Sequence, residues 1–391
     1  MNEGVNTAFS KRLAPFPGQP GIAIGCVVAL VTGLLSVHRW APNASRQTPA
    51  SDNAQPRPSV TNEVAPLPRL LSGTGLYRAG STTEIAPEIL TYSPQYPLWS
   101  DGATKRRFIA IPPGTSIDAT DPDHWQFPIG TRFWKEFSFG ERTETRYIER
   151  LRDGSFRYAS YVWDAALGDA RLAPREGVPG ARAIAEGASH DIPSEADCRA
   201  CHEGRRSPVL GFNALQLSPD RDPFAAHREA APPGAVDLAE LVRRDLVRGL
   251  PRDIVARAPR IAAPSPTARA AAGYLFGNCA GCHNTEGPLA ALGLDFDQSA
   301  TASDGYARLN ASVTDQPSRF RVPSDAHSLR AKPGSAAHST LWFRMQSRSA
   351  AAQMPPLGSK LVDRDGIRLI ERWIANDLRV SPVRHSSTHQ P

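Results

Sequence analysis

The sequence predicts a multi-domain α+β chain, an antiparallel β-rich domain followed by an all-α domain. Three observations predict it. At 391 residues the chain is longer than one ordinary core supports. Its middle carries aromatic and β-branched runs separated by glycine turns, and its last third carries alanine-rich and amphipathic stretches. Hydrophobic residues at 40% and charged residues at 21% exclude wholesale disorder and a polytopic membrane protein. The 36 prolines foretell linkers and long ordered loops.

Residues 1–40 read as an N-terminal membrane anchor or signal segment. Within them, residues 21–37 (GIAIGCVVALVTGLLSV) hold no charge, with Lys11 and Arg12 before and His38 and Arg39 after. Seventeen apolar residues are the low end of a spanning helix. No small-x-small cleavage site follows closely, so an uncleaved transmembrane helix is the first expectation and a cleaved signal the second. Residues 41–69 are rich in proline, serine and alanine without apolar periodicity, and read as a tether.

Residues 70–225 read as the β-rich domain. Strands are expected over 104–111, 131–139, 143–151 and 155–163, with turns at Gly140-Glu141 and Asp153-Gly154. Alternation is imperfect, so sandwich and open sheet both stay open. Residues 226–262 connect, and an amphipathic helix is expected over 236–250, with Leu238, Leu241, Val242 and Leu246 on one face. Residues 263–380 form the helical domain. It starts at Ser265-Pro266, a capping hydroxyl followed by proline in the first turn. It ends in a helix capped by Asp363 or Asp365 with Ile367, Ile370, Trp373 and Ile374 on one face. Gly273, beside Tyr274, would let the first helix cross closely against Trp373 of the last. Residues 381–391 are an expected disordered tail.

The net charge is +6, and only five of the 45 basic residues are lysine. Scattered arginine suits an acidic partner or an anionic membrane surface. No lysine-rich tail or arginine block is present, so nucleic acid is not an expected partner.

The cysteines carry the chemistry. Cys26 lies in the apolar run. The other four form one pattern twice, Cys198-Arg-Ala-Cys201-His202 and Cys279-Ala-Gly-Cys282-His283. This is the attachment signature of c-type haem. Two sulfurs three residues apart meet the two vinyl groups of one porphyrin, and the histidine that follows faces the iron. A thioredoxin-like pair needs no adjacent histidine and expects a βαβ context, which neither site has. A four-cysteine zinc site separates its pairs by about 15–20 residues, whereas Cys201 and Cys279 stand 78 positions apart. Cysteines one turn apart on a helix close too short a loop to serve as structural disulfides. Two covalently bound haems, with iron ligated by His202 and His283, are therefore expected.

A sixth ligand is sought for each iron. Met354-Pro355-Pro356-Leu357-Gly358 is an extended, proline-stiffened loop before the last helix, and its thioether suits the second iron. Met345, in LWFRMQ, reads as a buried helix face and is the weaker claimant. No methionine lies between Cys198 and Cys279. For the first iron His227 ranks first, His190 second and His124 third. A bis-histidine iron has the lower potential, so electrons are expected to enter at the first haem and leave from the second.

Residues 264–380 resemble the class I cytochrome c domain, with the haem motif after the first helix and the methionine loop before the last. The resemblance implies that the Pro288 carbonyl, in Gly287-Pro288, accepts the proton of the second proximal imidazole. More broadly, YSPQYPLWSDGATKRRFIAIPPGT, FPIGTRFWKEFSF and CRACHEGRRSPVLGFNALQLSPDRDP resemble a bacterial family of membrane-tethered dihaem c-type cytochromes, over roughly residues 70–376. What the resemblance implies is electron transfer in the periplasm, anchored to the inner membrane by the N-terminal segment. Its partners would be redox proteins, a dehydrogenase or quinol-linked donor and a terminal acceptor. The alternative is an enzyme, dihaem peroxidase-like, using an open first iron. The basic stretch Lys105-Arg106-Arg107 reads as a solvated strand edge, or as a docking patch for an acidic redox partner.

Overall fold

The computed structural model describes residues 64–323, 325 and 327–378. Contacts divide the chain at Val60/Thr61, and every described residue belongs to the second unit.

The centre of that unit is a six-stranded antiparallel sheet. In chain order its strands are β1 (Leu90–Thr91), β2 (Thr104–Ala110), β4 (Arg132–Phe139), β5 (Glu141–Arg150), β6 (Phe156–Asp164) and β7 (Asp169–Leu172), and they lie side by side in that order. The four expected strands are β2, β4, β5 and β6, each within two residues of its expected ends. Gly140, at φ 80°, makes the β4–β5 turn, and Asp153 caps Ser155 beside Gly154 in the β5–β6 turn. The open question between sandwich and open sheet resolves as one open sheet.

Alternation divides the sheet's faces. Phe108, Trp134, Tyr147 and Tyr161 point to one face, where Leu71, Leu76 and Tyr77 cover them. Tyr161 donates to the Pro68 carbonyl at 3.0 Å, which ties the segment before the sheet onto it. Ile109, Phe133 and Tyr158 point to the other face, where they pack with Cys198, Phe212 and Leu241. The first Cys-x-x-Cys-His motif thus lies over this second face.

Shorter elements complete the unit. A strand β3 (Ile117–Asp118) pairs in parallel with β10 (Val247–Arg248), and β8 (Val178–Ala183) pairs with β9 (Ser189–Ile192). The helices are α1 (Glu195–His202), α2 (Leu238–Arg243), α3 (Arg252–Ala256), α4 (Pro266–Asn278), α5 (Gly305–Val313), α6 (Thr340–Gln346) and α7 (Arg364–Asn376). The helix expected over 236–250 stops at Arg243. Asp245 turns left-handed at φ 55°, and Val247 joins Ile117 in a strand pair instead.

The expected fold class, a β-rich domain followed by an all-α class I cytochrome c domain, is corrected. The architecture is dominated by the sheet, and the helices are few and short. Two physical reasons apply. Between α5 and α6 the chain is held by isolated β-bridges, Thr314–Ala331, Pro317–Leu329 and Leu329–Ser339. And α4 does not pack only on helices: a Cβ on Gly273 would stand 2.0 Å from the Tyr96 ring. Tyr96 sits in the same core cluster as α4 and α7, so this core includes the stretch between β1 and β2. The close crossing of α4 and α7 runs the other way round from expectation: the Tyr274 ring fills the space over Gly366.

The transmembrane expectation finds no helix to carry it among the described residues: none there is long and apolar enough to cross a membrane. The stretch it named, residues 21–37, lies outside the described residues, as do residues 1–63 and the expected tail at 381–391.

Candidate functional site

The first motif is built on α1. Ser194 caps its start, accepting from Asp197 N, while the Asp197 carboxylate accepts from Ser194 N. Such a reciprocal box fixes a short helix. One turn on, Cys198 is buried, Cys201 is half-buried and His202 closes the helix. Burial pushes the Cys198 thiol up to about 11 and raises Cys201, so both sulfurs are thiols at neutral pH. Burial also pushes His202 down to about 4, with Lys135 and Arg146 adding to the effect. The ring is therefore neutral. Its Nδ1 donates to the Pro208 carbonyl at 2.6 Å, which leaves the Nε2 lone pair free. That is the tautomer an iron-facing imidazole needs.

The second motif begins where α4 ends. Ser265 caps α4 and Pro266 opens it, as the sequence implied, and Cys279 stands at its C-terminus. Burial pushes Cys279 up to about 12, raises Cys282 and lowers His283. The His283 Nδ1 atom is buried and has no hydrogen-bond partner among the described residues. The carbonyl expected from Pro288 is therefore not engaged. The analogous contact stands at the other motif, made by Pro208.

Cys279, Cys282 and His283 open onto a cavity of about 340 Å³. Its wall is mostly apolar, with Leu289, Leu294, Phe296, Val313, Phe320 and Leu341 among the lining residues. Both Met345 and Met354 line it, so the structure brings the second histidine and the two methionine candidates around one space. Trp99 Nε1, Thr340 Oγ1, Ser359 Oγ, and Nε and Nη1 of Arg348 belong to the same lining, and all are buried and unpartnered. Each is a hydrogen-bond donor. A wall of hydrocarbon interrupted by donors without acceptors fits a flat apolar macrocycle that carries two carboxylates. The residues present thus fit haem. Among the described residues no three or more of His, Cys, Asp and Glu converge as a cage for a bare metal ion.

The two motifs touch. A Cβ on Gly204 would stand 2.4 Å from the Gly281 oxygen, and one on Gly287 would stand 2.5 Å from the Gly204 oxygen. Asn284 Nδ2 donates to the carbonyls of Gly204, at 3.0 Å, and Ala280, at 2.8 Å, so one side chain laces both turns together. Cys282 Sγ lies 4.0 Å from the Ala200 carbonyl. Outside the turns, Arg205 pairs with Asp297 at 2.5 Å and Arg206 with Glu286.

The histidine candidates for the first iron stand elsewhere or are otherwise held. His227 directs Nε2 at both oxygens of Asp363, 2.8 Å away, and lies against Trp99 with ring centroids 4.7 Å apart. Asp363 and Trp99 both line the second cavity, so His227 belongs to that end of the molecule. His190 is buried beside Phe137 and Phe139, 3.9 Å from Asp101 and 3.6 Å from Glu144. Burial alone would lower its pKa, but Asp101 and Glu144 outweigh it and raise it. They favour the imidazolium, which has no lone pair for iron. His124 is paired with Asp121 at 3.0 Å.

Sequence reasoning missed three things. The Pro208 acceptor was detectable, because a proline follows His202 by six positions much as Pro288 follows His283 by five. The glycines at 204, 281 and 287 gave no sign that they face one another. The donors Trp99, Arg348 and Ser359 come from segments far apart in the chain. Compared with known proteins, the chain matches no family model, no curated protein sequence and no solved structure.

Proposed function

We propose that this chain is a dihaem c-type cytochrome that carries electrons in the periplasm between a donor and an acceptor protein. One observation carries the reading: two Cys-x-x-Cys-His turns are packed backbone to backbone, at Gly204 and Gly281, in one folded unit. A porphyrin iron supplies one-electron oxidation and reduction when bound. Everything else is the work of the chain.

The thiols of Cys198 and Cys201, and those of Cys279 and Cys282, would hold the two groups as thioethers. His202 and His283 supply the proximal nitrogens. The Pro208 carbonyl holds His202 in the required tautomer. Met354, on its proline-stiffened loop beside His283, would supply sulfur to the second iron, a ligand that raises the potential of such a centre. Asn284 and the glycine contact fix the separation of the two attachment turns, and with it the path an electron crosses.

The test is a reductive titration of holoprotein matured in an export-competent host. The chain should take up two electrons and return both to an oxidising small cytochrome. Uptake of one electron or none contradicts the reading.

A further inference from the structure

Strand alternation divides the basic stretch Lys105-Arg106-Arg107. Arg106 turns to the face of Phe108 and Trp134, where its half-exposed side chain pairs with buried Glu136 at 3.4 Å, whereas Lys105 and Arg107 turn to the face beneath the first motif. The solvated strand edge expected there is therefore only Arg106. On the inner face the register aligns Arg107 with Lys135, Lys135 with Arg146, and Arg146 with Ser160. Side chains directly opposite on neighbouring strands are close, and like charges there repel. Arg107 is ion-paired with Glu229, and Arg146 with Glu144 at 2.5 Å. His190, farther along, lies between Asp101, at 3.9 Å, and Glu144, at 3.6 Å, so it adds one basic group and Asp101 one carboxylate to the row without changing the balance. Among the described residues no carboxylate lies within ion-pair distance of Lys105 or Lys135. Four cations therefore stand against two carboxylates, and two positive charges are left over.

The same face holds two further clues. Tyr158 Oη and Ser160 Oγ are buried without hydrogen-bond partners. The Tyr158 ring lies 5.5 Å from the His202 imidazole, so this row of groups borders the first attachment site. Burial pushes Lys105 down to about 8, with Glu229 and Asp363 offsetting part of it, and burial together with Arg107, Lys105 and Arg146 pushes Lys135 well below its ordinary value.

We propose that Lys105, Arg107, Lys135 and Arg146 form a seat for two carboxylates, and that these are the propionate arms of the porphyrin on Cys198 and Cys201. The inference rests on the haem reading above and names what holds the first haem besides its thioethers. Two negative charges match the two unbalanced cations, and the unpartnered hydroxyls supply donors at the same place. A seat of this kind tunes the iron, because a cation nearby disfavours the ferric state.

The test uses holoprotein whose two haems have been counted. Lys135→Met should keep both haems and the wild-type spin state of each, while the midpoint of the first haem falls and that of the second stays. Lys135→Arg should restore it. Should K135M not accumulate, Lys105→Met carries the same expectation. Unchanged midpoints overturn the proposal. So does a change in the first haem's spin state between wild type and K135M, which would make Lys135 an iron ligand. So does a change in the first haem's spectrum when nitrite or phosphate is added to the wild type and abolished by K135M, which would assign the row to a free oxyanion. A wild-type chain without haem instead overturns the haem reading itself, and the count separates the two failures.

Discussion

Gly204 rests on the carbonyl of Gly281, so that any side chain at 204 would begin 2.4 Å from that oxygen. The obstacle is backbone, which cannot swing aside as the end of a flexible side chain can. Gly204→Ala should therefore cost about 1–3 kcal/mol, the usual range for overpacking a tight contact. It should also loosen the electronic linkage of the two sites, read as a weaker interaction between the two midpoints in a redox titration. Denaturant unfolding and that titration check it; an alanine variant equal to wild type in both would show that the turns do not depend on each other.

Met354 and Met345 line one cavity with His283, and on the proposed haem reading only one of the two sulfurs would ligate the second iron. Met354→Ala should abolish the weak long-wavelength band of sulfur-ligated ferric iron and lower the midpoint of the second haem. Met345 is buried at the end of α6, so Met345→Ala should leave the band in place and show its effect as lost packing, about 2–5 kcal/mol. If the band survives M354A and vanishes in M345A, the ligand assignment reverses.

The two proposed attachment motifs are read locally, because five consecutive residues define each one. The strands at 104–111, 131–139, 143–151 and 155–163 were legible for the same reason, since aromatic and β-branched runs with glycine turns act over a few residues. What failed was long-range. The periodicity of α4 and α7 suggested a separate helical domain, but Gly273 meets Tyr96, which lies 177 positions earlier in the chain. His227 looked like a ligand by its distance from His202, yet it is claimed by Asp363, 136 positions away. The Lys105-Arg106-Arg107 stretch looked solvated until the register showed that alternate residues point inward. Pairing partners across such distances leave no trace in local pattern.

Asp363 joins three parts of the C-terminal region. It accepts from Gly366 N at the start of α7, from Tyr274 Oη at 2.8 Å, and meets His227 Nε2 at 2.8 Å. Burial would raise its carboxyl, but His227, the Gly366 N–H and Tyr274 outweigh burial and hold it below the ordinary value. A carboxyl depressed in the folded state adds stability above its unfolded value of about 3.9, and that stability is lost as pH falls through the folded value. Wild type should accordingly lose stability as the medium is acidified into that range. Asp363→Asn should be less stable at neutral pH by about 1–3 kcal/mol and should lack this part of the acid dependence. Unfolding midpoints measured across pH for both proteins decide it; parallel curves would remove Asp363 from the account.

The measurement that bears most directly on the whole is the haem stoichiometry of protein matured in an export-competent host, by pyridine haemochrome together with intact mass. Two haems per chain, joined covalently at Cys198 and Cys201 and at Cys279 and Cys282, is the predicted result. A colourless chain, or one whose four paired thiols remain free to alkylation, would contradict it.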